Sequence, residues 1–150
     1  MKNRDIPITE SQWGNLGIAD LRRAVRQYFN DHLKGRTIVN DETKIPIRIT
    51  VASARKTAFG EAMYHKKAEL VRILPELLKV AKYNNFGQRK PQDSVEILGY
   101  LNFKAKCMLD GKIEHVRIAV RFQKGGKFYY SMEVNMVKWK TVAVHKAQEL

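Results

Sequence analysis

His115, Glu133, Arg117 and Lys104 are the side chains of this sequence best suited to chemistry on a phosphodiester. They fall within three runs, residues 99–109, 112–122 and 127–137, where apolar and polar residues alternate with period two, the pattern of half-buried strands. Cleaving RNA through its 2′-hydroxyl needs a base for that proton and an acid for the leaving 5′-oxygen. It also needs cationic donors for the charge that grows on the phosphorus-bound oxygens. Glu133 is the expected base and His115 the expected acid, since an imidazole titrates near neutrality. Arg117 and Lys104 would form the electrostatic clamp. Lys106 and Arg121 offer further phosphate contacts, and Tyr100 and Tyr129 offer rings on which a base can stack. The scheme calls for no metal and no other cofactor. The four histidines (His32, His65, His115, His145) lack HxH or HExxH spacing, and the single cysteine, Cys107, can build neither a thiolate cluster nor an intramolecular disulfide.

Whether these side chains meet depends on strand register. Asp110-Gly111 is a two-residue hairpin signal that pairs Leu109 with Lys112. Carried along the strands, it sets Ala105 opposite Val116, Phe103 opposite Ile118 and Leu101 opposite Val120, apolar against apolar throughout. Lys124-Gly125-Gly126 suits a three-residue loop. It sets Val120 opposite Tyr130, Ile118 opposite Met132 and Val116 opposite Val134. By parity, one row of the other face holds Lys104, Arg117 and Glu133, and the next holds Lys106, His115 and Asn135. Further rows hold Asn102, Ala119 and Ser131, then Tyr100, Arg121 and Tyr129. Neighbours within a row lie roughly 4.5–5.5 Å apart at their β-carbons, so acid, base and cations converge in this register.

The elements ahead of the sheet are helical in the main. Residues 1–17 read as a polar lead-in and 18–150 as a single domain. A helix over 18–34 buries Leu21, Val25, Phe29 and Leu33 on one stripe, with Asp20 as its expected N-cap and Gly35 as its stop. Short strands follow over 36–40 and 45–51, with Pro46 delaying the second or placing it at an edge. Two helices, 61–73 and 75–84, are divided by Pro75. Residues 85–94 read as a loop, with Arg89 and Lys90 as a flexible phosphate-seeking arm, and 138–150 as a last strand or short helix. Arg55, Lys56 and Thr57, cations beside a hydroxyl just before a helix, are suited to gripping phosphate, and equally to a helix-capping loop. His65 is expected on a solvated helix face, and Trp13 and Trp139 in packing roles.

The charge balance narrows the partner. With 28 Lys plus Arg against 15 Asp plus Glu, the formal charge is +13, a footprint for polyanions. Nucleic acid, RNA above DNA, is the expected partner. The same face also fits a noncatalytic nucleic-acid-binding module, or a surface that docks an acidic inhibitor protein. As an ordinary solvated face it would hold Arg117 and Glu133 as a surface ion pair worth under about 1 kcal/mol. A membrane partner is not expected, because no apolar run approaches ~18 residues, and 1–10 lack a signal-peptide core. The chain reads as cytoplasmic, or as a domain delivered into a cell within a larger protein.

The order of motifs carries a resemblance. A basic amphipathic helix ending at Gly35, then Ile47-Arg48-Ile49, Arg55-Lys56-Thr57 and Leu74-Pro75-Glu76-Leu77-Leu78 precede the two hairpins and Phe128-Tyr129-Tyr130. From about Leu21 to Val134 the chain resembles the large-polyvalent-protein-associated domains of phage and mobile-element polyproteins. Its layout is also similar to the barnase–EndoU–colicin–RelE nuclease superfamily. The resemblance implies an α+β fold, N-terminal helices on one face of a twisted antiparallel sheet. It further implies a ribonuclease site on the sheet face, or a relic of one, in a protein of phage, mobile-element or toxin origin.

Overall fold

The structure is a computed structural model that describes residues 6–50 and 65–136, of which 131–136 are described by backbone alone. Its architecture is α+β, with three helices packed against one face of a curled sheet. Helix α1 (Ile18–Tyr28) buries Leu21 and Val25. It then widens into a π-helical turn, Phe29–Leu33, closed by the Lys34 amide on the Phe29 carbonyl at 2.8 Å. Gly35 leaves it at φ +80°, a conformation glycine adopts without strain. The helix begins at Gly17 with no side-chain cap. The expected cap, Asp20, lies instead inside the first turn and pairs with Arg23 at 2.7 Å.

Helices α2 (His65–Arg72) and α3 (Leu74–Val80) are separated at Ile73, because Pro75 can occupy only the first turn of the second. Asn40 ties this layer to the sheet. Its fully buried amide donates to the carbonyls of Leu78 and Ala81 at 2.8 Å each, and its oxygen accepts from Thr43. The core between layers is built from Leu21, Phe29, Leu33, Ile47, Ile49, Leu70, Leu74, Leu77, Phe103, Val116, Ile118, Val120 and Tyr130. Cys107 joins it as a fully buried thiol.

Among the described residues seven strands make the sheet: β1 (Ile8–Thr9), β2 (Thr37–Val39), β3 (Pro46–Arg48), β4 (Lys82–Gln88), β5 (Ile97–Leu109), β6 (Lys112–Gln123) and β7 (Lys127–Met136). The order is β1-β5-β6-β7-β3-β2, and β4 shares with β1 the outer edge of the long β5. The expectation of a purely antiparallel sheet is corrected at two places. β1 runs parallel to β5, and β3 parallel to β7. Both contacts join segments distant in sequence, which no hairpin constrains to be antiparallel. Pro46 is the first residue of β3, where its missing N–H costs no ladder bond.

A second correction concerns residues 82–88. They form strand β4, where a helix end and a loop were expected. Lys-Tyr-Asn-Asn-Phe-Gly-Gln buries almost nothing and so has no hydrophobic period. It is a strand because its backbone pairs with β5 from Lys82 opposite Lys104 to Gln88 opposite Gly99. Gly99 is required there: a β-carbon on it would lie 2.2 Å from the Phe86 ring and 2.7 Å from the Gly87 carbonyl.

The segment ahead of α1 is bound to the fold. The Met108 and Asp110 amides donate to the Pro7 and Thr9 carbonyls. Glu69 on α2, 1% exposed, accepts from the Gln12 and Trp13 amides at 3.0 and 2.8 Å and from Arg72 at 2.9 Å. Arg72 in turn reaches the Thr9 hydroxyl and the Glu10 carbonyl and lies over the Trp13 ring.

Candidate nucleic-acid interface

The first hairpin has the expected register along its whole length, from Leu109 opposite Lys112 to Tyr100 opposite Arg121. Asp110 and Gly111, at φ +52° and +79°, form the expected turn with both central residues left-handed. The second hairpin also starts as expected, with Gln123 opposite Lys127 across Lys124-Gly125-Gly126 and Val120 opposite Tyr130. Between Ala119 and Val120 the ladder then jumps. Ala119 faces Glu133, Ile118 faces Val134, Arg117 faces Asn135 and Val116 faces Met136. Two additional residues on β7, Ser131 and Met132, are thus taken up in a bulge.

The bulge re-sorts the rows. Lys104 and Arg117 share a row with Asn135, not Glu133. Glu133 moves to the row of Asn102 and Ala119, and the row of Lys106 and His115 has no described β7 partner. Because two residues were inserted, the side-to-side alternation is preserved and the core pairing remains apolar. From the His115 row to the Glu133 row is four residues of β6, about 13 Å. The expected convergence of His115, Arg117, Lys104 and Glu133 is therefore only partial. Lys104, Lys106, His115 and Arg117 come together, and Glu133 stands apart.

The face is wider than the three-strand meander. Lys82 on β4 sits opposite Lys104, and Arg48 on β3 sits opposite Tyr129, so both join the side away from the helices. Lys82 carried no sequence signal, since β4 was not expected. Arg48 did, as the polar residue between the buried Ile47 and Ile49. Lys82, Lys104, Lys106, Arg117, Arg121 and Arg48 thus share one face. Among the described residues none of these six makes an ion pair or a side-chain hydrogen bond. Lys66, by contrast, pairs with Glu114 at 3.4 Å, and Glu114 lies on the core parity of β6.

The row of Tyr100, Arg121 and Tyr129 is as expected. The Arg121 guanidinium lies 5.6 Å from the centre of the Tyr129 ring, and its Nε is buried with no acceptor among the described residues. Lys90 lies 5.5 Å from the centre of the Tyr100 ring. The Tyr100 hydroxyl donates to Asp93 at 2.8 Å. The Lys90 amide and then that hydroxyl hold the Asp93 carboxyl below its usual pKa. Asn102 donates to Asn85 at 2.9 Å in the adjacent row.

Other expected contributors are placed differently. Arg89 is no free arm: its guanidinium donates to the carbonyls of Ile97, Asp93 and Ser94 and so shapes the loop. His65 is half-buried, with Nε2 2.7 Å from the Leu16 carbonyl. Cys107 is inert packing, its thiol pushed up to about 11 by burial and then by the Glu114 carboxylate. Arg55, Lys56 and Thr57, with the start of the helix expected at 61, lie outside the described residues, as do Trp139 and the rest of 138–150. Among the described residues no three metal-ligating side chains converge, and no helix is long and apolar enough to cross a membrane.

A family model, large polyvalent protein-associated domain 3, matches residues 17–130. No curated protein and no solved structure matches the chain.

Proposed function

This chain belongs to the large polyvalent protein-associated domain 3 family, and on that premise we propose that it is a nucleic-acid-binding module whose sheet face grips phosphates. The family description fits a domain carried within a larger phage or mobile-element protein. The observation that carries the reading is the set of six cations on one sheet face, none of which makes an ion pair among the described residues. Clustering like charges raises the energy of the unbound domain, and a polyanion relieves that repulsion. Binding is favoured over cleavage because an acid and a base must both reach one phosphate. The bulge separates the rows of His115 and Glu133 by about 13 Å along β6.

The test is fluorescence anisotropy with labelled RNA over a range of salt concentrations. If all six cations meet phosphates, log K falls against log salt with a slope near −4 for a single strand, at about 0.7 per phosphate. Arg117→Ala and Lys104→Ala should each flatten that slope by about 0.7, while Lys34→Ala and Lys79→Ala in the helical layer should leave it unchanged. Binding that ignores salt would refute the reading and point to an acidic protein partner. Discrete 2′,3′-cyclic phosphate products in EDTA, abolished by His115→Ala and Glu133→Ala, would assign the face to transesterification instead.

A further inference from the structure

Three adjacent rows of the basic face follow one another in a chemical order. The row of Tyr100, Arg121 and Tyr129 offers two aromatic rings with a cation between them. The next offers the Asn102 amide beside the small Ala119, with the Glu133 position on β7 completing the row. The third offers Lys104 and Arg117. Aromatic ring, amide and cation are the partners of base, sugar and phosphate in that sequence. Rows two residues apart are separated by about 6.6 Å along the strands, so neighbouring parts of one nucleotide can reach neighbouring rows.

From this order we infer that the face takes single-stranded RNA, laid across the β-strands with its bases over the tyrosine row and its phosphates over the Lys104 row. The inference rests on the face being a nucleic-acid interface and adds which nucleic acid it accepts. Tyr100 and Tyr129 stand on β5 and β7, two strand spacings or about 9.5 Å apart, and present one ring to each of two unpaired bases. A duplex keeps its bases stacked on each other and cannot offer them to these rings. The Arg121 guanidinium stands between them, 5.6 Å from the centre of the Tyr129 ring. The sugar row selects RNA. Asn102 spends one amide hydrogen on Asn85, which leaves the Asn102 carbonyl oxygen and the Asn85 amide nitrogen for a 2′-hydroxyl, both donor and acceptor. Asp93 holds the Tyr100 hydroxyl and fixes that ring before any ligand arrives.

The experiment measures the affinity of the full chain for three probes at one salt concentration: a 12-nucleotide RNA, the DNA of the same sequence, and the RNA duplex. The single-stranded RNA should bind tightest. Tyr100→Leu and Tyr129→Leu should each weaken it by roughly five- to 150-fold, the range for losing one stacked base, and leave duplex binding within about two-fold. Tyr129→Phe keeps the ring and should keep the affinity, and Tyr100→Phe, which loses only the hydroxyl's anchor on Asp93, should lose far less than Tyr100→Leu; this separates stacking from any loss of folding in the leucine variants. Asn102→Val should bring RNA down to the level of DNA. Equal binding of single strand and duplex, untouched by the leucine variants, would overturn the inference and leave the phosphate-gripping face standing. Equal binding of RNA and DNA, untouched by Asn102→Val, would overturn the choice of RNA. Failure to bind any probe would overturn the interface itself.

Discussion

Replacing Glu69 by alanine should release the segment ahead of α1 and cost a large part of the stability of the domain. The carboxylate is 1% exposed and accepts three hydrogen bonds, from the Gln12 amide, the Trp13 amide and the Arg72 guanidinium. Truncating one member of a buried charged pair costs about 3–5 kcal/mol, mostly because the partner is stranded. Two features place Glu69→Ala toward the lower end. Arg72 retains the Thr9 hydroxyl and the Glu10 carbonyl, and Gln12 is exposed enough for water to replace the lost acceptor. A loss of about 3–4 kcal/mol follows, or a fall in Tm of about 6–16 °C at 2–4 °C per kcal/mol for a chain of this size. The assay is urea and thermal unfolding followed by circular dichroism, paired with hydrogen exchange. The Met108 and Asp110 amides donate to Pro7 and Thr9 and should lose protection ahead of the β5–β6 ladder. A Trp139→Phe background makes Trp13 the sole indole reporter, and its emission should shift to the red as it leaves Arg72. A Tm within 2 °C of the parent, with unchanged exchange at Met108 and Asp110, would refute the argument.

Three other outcomes follow from single contacts. Gly99→Ala drives a methyl into the Phe86 ring and the Gly87 carbonyl and should destabilise by about 1–3 kcal/mol as an overpacked site. Exchange protection should be lost first in β4. Cys107, held up at about 11 against 9.0 when unfolded, keeps its proton in the fold at a pH where the unfolded thiol gives it up. Stability should therefore fall as pH rises from about 9 toward 11, by up to about 3 kcal/mol, and urea midpoints of Cys107→Ala should lack that fall. Asp110 has its pKa lowered by the Ser11 hydroxyl and then the Ser11 amide, so its contribution is present above the ordinary carboxylate pKa and disappears as pH falls through the depressed value. Carbon-detected NMR titration of Ser11→Ala should find that carboxyl moved up toward its usual range.

Local chemistry accounts for what was legible in the sequence. Asp110-Gly111 dictates a turn with both residues left-handed, and from it the β5–β6 register follows residue by residue. Pro75 divides the helices for an equally local reason. What escaped was set by partners remote in sequence. β4 has no hydrophobic period because its stabilisation is backbone pairing on an edge, and β1 is two residues whose strand partner lies a hundred positions away. The bulge escaped because a two-residue insertion keeps the alternation intact. The apolar pattern that certified the register was therefore blind to this particular error.

That blindness bears on the candidate site more than on the fold. The core is indifferent to whether Ile118 meets Met132 or Val134, but the opposite face is not. In the expected register a carboxylate position stands in the row of Lys104 and Arg117 and would compensate one of their charges. In the observed register Asn135 stands there and Glu133 is one row away. Among the described residues the cation row then holds no carboxylate position, and the position of Glu133, the expected base, lies four residues of β6 from the His115 row. One irregularity in one ladder thus strengthens the case for gripping a phosphate and weakens the case for cutting beside it.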